Sequence, residues 1–224
     1  MDIEDKLFKV INSLNPQQKE ATMAINGPIQ VIAGAGSGKT RVLTTRVAYL
    51  IYSGVEPSQI LVLTFTNKAA NEMKERIAQM LTPSLANRVW AGTFHSIFAR
   101  ILRLEAEQIG YSRDFTIYDQ EDSLALIRQI MKDNNISVNE MSPQTIQNTI
   151  SKAKNEMITA LEYARVAQTS YEKKIAQLYL IYQDELFRSK AMDFDDLLLN
   201  TLELFLSNKQ VLEKYQKQFR YILV

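Results

Sequence analysis

The sequence contains no cysteine and a single histidine, His95, among its 224 residues. Without thiols the chain forms no disulfide and no thiolate metal site, and one imidazole cannot build a histidine-rich metal centre. Because cysteine-free chains fit a reducing compartment, we expect a cytoplasmic protein.

Long apolar runs and an excess of one charge sign are also lacking. No stretch approaches the ~20 apolar residues that a membrane-spanning helix needs, and the first ten residues lack the basic-then-apolar layout of a signal peptide. Lysine and arginine total 26 against 25 aspartates and glutamates, which gives a net charge of +1. Charge alone therefore does not indicate a nucleic-acid partner, and such a partner must be inferred from local sites.

The first 110 residues contain a regular alternation of short β-branched runs and longer amphipathic runs. The predicted strands are residues 28–34, 60–65 and 88–94, and the predicted helices are residues 38–54, 67–81 and 95–110. Alternation of this kind predicts an α/β fold in which helices cover both faces of a parallel sheet.

The pattern then changes to helices almost throughout, with a clear start signal where Ser142 precedes Pro143. Residues 220–224, RYILV, return to a strand pattern. We therefore predict an α/β domain of residues 1–110 plus 190–224, interrupted by an all-helical insertion of residues 111–189. The last strand is expected to join the first sheet.

The most specific signal is a glycine-rich loop between a predicted strand and a predicted helix. It comprises Ala33, Gly34, Ala35, Gly36, Ser37, Gly38, Lys39 and Thr40. The last three residues match the phosphate-loop pattern G-x-x-x-x-G-K-[ST], although Ala33 replaces its first glycine. Lys39 is expected to reach the β- and γ-phosphates of a nucleotide, and the Thr40 hydroxyl is expected to bind Mg²⁺. The alternative is a glycine-rich turn without a ligand. It explains less well why a predicted strand precedes the loop and a predicted helix follows it.

Five stretches, in this order and with these spacings, carry a family resemblance: LNPQQ, AGAGSGKTRVL, LTFTNKAANEMKER, GTFHS and DFDDLL. Together they resemble the N-terminal half of a superfamily 1 DNA helicase of the UvrD/Rep/PcrA type, over essentially the whole chain. The resemblance implies a RecA-like P-loop motor domain with a helical insertion. It also implies ATP and Mg²⁺ as cofactors, and single-stranded DNA and its junctions with duplex as partners.

For the parent protein the resemblance implies an ATP-dependent 3′→5′ helicase or translocase. In that family a final strand runs into an Asp-Glu pair, and the present sequence ends at Val224 before such a pair. We therefore expect these 224 residues alone to bind ATP and DNA weakly, with negligible turnover. Asp195 and Asp196 precede a helix, so helix capping explains them better than a catalytic role. A P-loop nucleotide-binding module or small-molecule kinase with a helical lid, and a structural piece without activity, stay open as alternatives.

Two residues outside the loop are candidates for adenine binding. Gln18 lies three residues after Asn15, a spacing that is typical of a capping box, and the resemblance implies that its amide reads adenine. Gln17 is a neighbouring alternative for either role. The resemblance also implies that the Arg41 guanidinium packs on the adenine ring, a use that suits a planar cation.

The candidates for DNA contact lie where two predicted strands run into helices. They are Phe65, Thr66, Asn67 and Lys68 at the first junction, and Thr93, His95 and Ser96 at the second. Stacking of bases on Phe65 and hydrogen bonds to phosphates would make binding tolerant of sequence. The alternatives are a core aromatic, helix caps such as Asn67, and a structural histidine. In the insertion we expect Lys152 and Lys154 to lie on a solvated helix face, with a role facing duplex DNA as the alternative.

Overall fold

The computed structural model describes residues 2–224, and the chain divides into two compact units. The first consists of Met1–Ile97 with Glu213–Val224, and the second of Phe98–Leu212. The insertion predicted from the sequence, residues 111–189, lies within the second unit, which extends beyond it at both ends. The assignment of these segments to a motor domain and an insertion stays a prediction.

The first unit is built around a parallel sheet with strand order β2-β1-β5. Its strands are β1 (Ile60–Thr64), β2 (Trp90–Thr93) and β5 (Tyr221–Leu223). Its helices are α1 (Ile3–Asn12), α2 (Pro16–Met23), α3 (Lys39–Tyr52), α4 (Asn67–Met80) and α5 (Pro83–Arg88), with a short 3₁₀ turn at Pro57–Gln59. Two helices cross the boundary between the units: α6 (Phe94–Leu104) and α12 (Lys209–Gln218).

The central strand β1 pairs with β2 and β5 on its two sides. Leu61 lies opposite Trp90 and Ile222, and Thr64 lies opposite Thr93 at the carboxyl end. The aliphatic side chains of β1 are buried, as is usual for a central parallel strand. Two predictions are thereby confirmed: the parallel sheet, and the return of the last strand to it.

The predicted strand at residues 28–34 is wrong, since these residues form no strand in the structure. Ile32 is 91% exposed, and Val31 and Ile29 are exposed as well. The carbonyl oxygens of Ala33 and Gly34 accept hydrogen bonds from the Lys39 ammonium. A strand needs a neighbouring strand for its backbone groups, and this segment, in spite of its β-branched residues, has none in the described sheet.

The second unit is mostly helical. It contains α7 (Gln120–Asp133), α8 (Pro143–Asn155), α9 (Ala160–Val166), α10 (Ser170–Arg188) and α11 (Phe194–Ser207), with a 3₁₀ turn at Ala106–Ile109. It also contains a parallel pair of short strands, β3 (Thr116–Tyr118) and β4 (Ala191–Asp193). Because β3 lies within residues 111–189, the prediction of an all-helical insertion is wrong. β4 is fully buried, so its backbone groups need the partner that β3 supplies.

Lys154, predicted to lie on a solvated face, is buried in the second unit with 0% of its side chain exposed. Its Nζ lies 2.6 Å from Asp193 Oδ2 and 2.8 Å from Asp196 Oδ1. The Tyr182 hydroxyl donates to the same Asp193 oxygen at 3.0 Å. A buried ammonium requires charged partners of this kind. Both aspartates lie 39 or more residues away from Lys154 in the sequence. Lys152, two residues earlier, is exposed as predicted.

The prediction that Asp195 and Asp196 precede and cap a helix is right about a cap but wrong about its residue: α11 begins at Phe194, both aspartates lie in its first turn, and the N-cap is Asp193. Asp193 caps α11 by accepting from the Asp196 backbone N–H, and the Asp196 side chain accepts from the Asp193 N–H. Burial raises the pKa of Asp196 to about 6, although Lys154 acts in the opposite direction. Burial by itself would lower the pKa of Lys154, but the two aspartates outweigh it and hold that pKa above its ordinary value.

No helix within residues 2–224 combines the length and the apolar character that crossing a membrane would require.

Candidate functional site

The N-terminus of α3 differs from the other helix starts in residues 2–224. Every other α-helix there has a side-chain oxygen that accepts a hydrogen bond from an N–H of its first turn. At α3 the capping position is Gly38, which makes no side-chain hydrogen bond. The first N–H groups of a helix have no partner within it, so this end is open to an anion.

The loop before α3 is shaped by two glycines with left-handed backbone angles. Gly36 has φ 75° and Gly38 has φ 83°, a region that side chains strongly disfavour. The Ser37 hydroxyl donates to the Gly34 carbonyl at 2.6 Å and closes the turn. Ala33 takes the first loop position without difficulty, since no positive φ is required there. The loop lies largely exposed to solvent.

Lys39 is folded back onto this loop. Its Nζ donates to the Ala33 carbonyl at 2.9 Å and to the Gly34 carbonyl at 2.7 Å. Lys39 also contributes to the wall of a cavity of about 700 Å³ that is lined by residues 25–29 and 219–224. The cation thus already lies within a concave loop that is rich in backbone groups, where it can exchange two neutral acceptors for charged ones.

Gln18 links α2 to the loop. Its Nε2 donates to the Ser37 carbonyl at 3.0 Å, while its Oε1 accepts from the Asn15 N–H at 3.0 Å. The Asn15 side chain in turn accepts from the Gln18 N–H, which completes the predicted capping box. An amide has two N–H donors and two acceptor sites, so one donor and one acceptor of Gln18 remain beyond these bonds. The alternative candidate, Gln17, is exposed on α2.

Arg41 and Thr40 lie on the first turn of α3. The Arg41 guanidinium donates to the Ser13 hydroxyl at the end of α1, a partner that the sequence reasoning missed. Thr40 is exposed, and its carbonyl accepts from the Thr44 hydroxyl at 3.0 Å. Among residues 2–224 no group of three or more acidic, histidine or cysteine side chains is arranged to hold a metal. The Thr40 hydroxyl fits the usual mode of Mg²⁺ binding, in which nucleotide phosphates and water supply most of the ligands.

The junction of β1 and α4 presents Phe65 to solvent, with 86% of the residue exposed. Thr66, and not Asn67, caps α4: its hydroxyl oxygen accepts from the Ala69 N–H at 3.2 Å. The prediction of Asn67 as the cap is therefore wrong, because the helix begins one residue earlier than that role needs. Asn67 and Lys68 lie exposed on the first turn of α4.

The junction of β2 and α6 has the same layout. Thr93 caps α6 by accepting from the Ser96 N–H at 3.2 Å, and the Ser96 hydroxyl donates to the Thr93 carbonyl at 2.9 Å. A Cβ at position 92 would lie 2.5 Å from Ser96 Oγ, so any residue other than glycine would displace that hydroxyl. His95 is half-buried on the first turn.

The structure brings the two DNA candidate groups together, since Thr64 and Thr93 are opposite each other at the ends of β1 and β2. Sequence reasoning missed Phe94, whose ring centroid lies 5.6 Å from that of Phe65. The available signal was its position, since each phenylalanine directly follows its strand. The glycine loop belongs to the same unit but does not follow a strand, so only two of three expected strand-to-helix corners are present.

Comparison with known proteins identifies a family for this chain. The model of the UvrD/REP helicase N-terminal domain matches residues 14–224. The chain belongs to the UvrD/REP helicase family. The family resemblance seen in the sequence is thereby confirmed, and mixed α/β architecture with parallel sheets is consistent with the N-terminal domain of this family.

Curated relatives within the UvrD/REP family carry the name ATP-dependent DNA helicase PcrA. The chain is 45% identical over 214 residues to that of Leuconostoc citreum, and 45% identical over 217 residues to that of Bacillus subtilis strain 168. It is 44% identical over 216 residues to that of Staphylococcus aureus strain Mu50. These matches cover 95–96% of the chain but only 29–30% of each relative. The chain thus spans less than a third of their length.

A further cavity, of about 380 Å³, lies in the second unit beside Tyr182 and Asp193. A small-molecule kinase would need an acceptor site, and no such pocket was expected from the sequence of the insertion. The cavity alone does not favour that alternative, because the family that matches the chain is one of helicases.

Proposed function

We propose that the first unit binds ATP with Mg²⁺ at the glycine loop and single-stranded DNA at the ends of β1 and β2. The observation that carries the nucleotide site is the open N-terminus of α3 with Lys39 held inside the loop. The relatives are named ATP-dependent helicases, which supports ATP as the nucleotide.

On phosphate binding, Lys39 would exchange its hydrogen-bond partners, and the site would need no new residues. Lys39 would leave the carbonyls of Ala33 and Gly34 for the β- and γ-phosphate oxygens, which are stronger acceptors because they are charged. The free N–H groups at the start of α3 would donate to the same phosphates. Mg²⁺ supplies charge neutralisation when bound, and the Thr40 hydroxyl would be one of its ligands.

Gln18 would select adenine through the donor and acceptor that remain on its amide. Along one edge of adenine the 6-amino group is a donor and the neighbouring N7 is an acceptor. Guanine has two acceptors, O6 and N7, along the same edge. One free donor and one free acceptor on Gln18 match adenine and leave guanine with an unpaired group. Arg41, now bonded to Ser13, would turn its guanidinium onto the adenine face.

Single-stranded DNA would lie across the two neighbouring junctions. The exposed Phe65 ring offers a face for base stacking, which does not depend on base identity. Asn67 and Lys68 on one side, and Thr93 and His95 on the other, would donate to phosphates. Ser96 would do so by exchanging the bond from its hydroxyl to the Thr93 carbonyl for one to a phosphate oxygen. The Thr66 and Thr93 hydroxyl oxygens accept from helix N–H groups but keep their own protons for donation.

For the parent protein we propose an ATP-driven 3′→5′ DNA helicase or translocase whose first motor domain is RecA-like. ATP binding and hydrolysis would change how tightly the protein binds single-stranded DNA, and this change would move the strand across Phe65. DNA-stimulated hydrolysis by the parent protein, measured as steady-state ATPase activity with and without oligo-dT, tests this coupling.

The nucleotide site is tested by titrating the protein with a fluorescent ATP analogue. Replacing Lys39 with alanine removes a charge-assisted contact, so we expect affinity to fall about 10- to 100-fold. Lys173→Ala, which removes an exposed lysine in the second unit, is the matched control and should bind as the wild type does. Equal affinity of the Lys39→Ala variant and the wild type would refute the site.

A further inference from the structure

The Phe65 ring has little of the protein around it. With 86% of the residue exposed, it is not held by burial in the core. A freely turning side chain loses rotamer entropy when a base stacks on it, and this loss weakens binding. A ring that serves as a stacking surface is therefore expected to be held in place by a neighbour.

The register of the sheet supplies that neighbour. Thr64 and Thr93 are paired at the ends of parallel strands, so the residues that follow them lie side by side. The rings of Phe65 and Phe94 are 5.6 Å apart between centroids and inclined by 40°. This spacing lies within the range in which aromatic rings attract one another.

Phe94 is itself fixed more firmly than Phe65. It is the first residue of α6 and is half-buried. On either side of it, Thr93 and Ser96 exchange two hydrogen bonds, and the missing side chain at Gly92 allows this close turn. The backbone that carries Phe94 is thus held by a strand on one side and by a capped helix on the other.

We propose that Phe94 is a positioning residue for DNA binding: it holds the exposed Phe65 ring in the orientation on which a base stacks. The inference rests on the proposed binding of single-stranded DNA by the first unit. Phe94 acts through Phe65, so its contribution depends on the presence of both the Phe65 ring and a base.

The test measures the affinity of the whole 224-residue protein for labelled oligo-dT and for an abasic strand of equal length, by fluorescence anisotropy. Replacing Phe94 with leucine keeps an apolar side chain but removes the ring, and should weaken oligo-dT binding about 2- to 10-fold. Binding of the abasic strand should not change. Phe94→Tyr keeps the ring and should restore wild-type affinity.

Two further measurements separate positioning from loss of structure. The Phe65→Ala and Phe65→Ala/Phe94→Leu variants should bind oligo-dT equally, because the effect of Phe94 passes through the Phe65 ring. A 2-aminopurine base within the strand should be quenched less by the Phe94→Leu variant than by the wild type. Fluorescence of Trp90, the single tryptophan, reports whether β2 remains folded.

The matched control is Phe187→Ala in the second unit. Phe187 is also a partly exposed ring, with its centroid 5.1 Å from that of Tyr111. Its removal should leave the affinities for both strands unchanged.

The outcomes distinguish this inference from the proposed function. If Phe65→Ala weakens oligo-dT binding and Phe94→Leu does not, the positioning role is wrong while the DNA site stands. Equal weakening for oligo-dT and the abasic strand, or an additive loss in the double variant, also overturns the positioning role. If the wild type binds neither strand, or Phe65→Ala has no effect, the proposed DNA site itself fails.

Discussion

At the scale of single residues, Gln18 shows how one side chain serves two purposes. One acceptor site and one N–H of its amide are used within the protein, at Asn15 and Ser37. The capping role and the adenine role are therefore compatible, as the sequence allowed. The second role stays a proposal.

Replacing Gln18 with glutamate keeps the shape of the side chain but removes both N–H donors. We expect ATP binding to weaken about 5- to 100-fold, because the donor to adenine is lost and a carboxylate faces the Ser37 carbonyl. The preference for ATP over GTP should shrink as well. Competition of both nucleotides against a fluorescent ATP analogue measures the two quantities.

The neighbouring residue provides the control for this change. Gln17→Glu introduces the same charge one position away on the exposed side of α2. If both variants lose ATP affinity to the same extent, the effect is one of charge near the loop, and the amide of Gln18 does not select the base.

At the scale of secondary-structure elements, the buried cluster around Lys154 joins α8 to the start of α11. The lysine comes from α8, while Asp193 and Asp196 belong to the β4–α11 junction. Buried ion pairs are costly to assemble, but removing one partner leaves a charge in the interior without compensation. The cluster therefore makes the packing of these two elements depend on one residue.

Lys154→Met should lower the free energy of unfolding by about 3–5 kcal/mol, since two buried aspartates lose their counter-charge. Lys152→Met, two residues away on the same helix, should change it by less than about 0.5 kcal/mol, because Lys152 is exposed. Urea unfolding followed by circular dichroism measures both. Similar losses in the two variants would contradict the structural role of the cluster.

The same cluster shows which structural features can be predicted from sequence patterns and which cannot. The cap of α8 at Ser142 was predictable, because a cap depends on residues within one helical turn, whereas at α11 the presence of a cap was predicted but not its residue, Asp193. The burial of Lys154 was not, since the SKAKNEM stretch reads as polar and its partners are distant in the sequence. The β3–β4 pair was missed for a similar reason, because three-residue strands carry too short a pattern to be recognised.

At the scale of the whole molecule, the near-zero net charge limits how DNA can bind. With 26 basic and 25 acidic side chains, the protein has no overall attraction for a polyanion, so binding depends on local contacts. Lys68 is the one lysine among the DNA candidates. Contacts to phosphates do not distinguish bases, so the binding of single strands should be tolerant of sequence and weakened by salt.

We expect the logarithm of the affinity for oligo-dT to fall with the logarithm of salt concentration with a slope of about −0.7 per phosphate neutralised. Lys68→Ala should reduce the steepness of that slope by about 0.7, with a similar loss of affinity for oligo-dT and oligo-dC. Lys74→Ala, further along α4, is the control and should leave the slope unchanged. An unchanged slope in the Lys68→Ala variant would exclude a phosphate contact by that lysine.

The sequence by itself determined the local features of this protein: the glycine loop, most helix starts, the parallel strands β1, β2 and β5, and the family. These features follow from residues close together in the chain, whose turn, capping and periodicity preferences act over a few positions.

Only the tertiary structure decided which of these features meet. It set Phe94 beside Phe65, buried Lys154 between two aspartates, and left residues 28–34 outside the sheet. The physical reason is that burial and strand pairing depend on partners that are distant in sequence. A residue pattern indicates whether a side chain favours burial or a strand. It does not indicate whether the fold places a suitable partner next to that side chain.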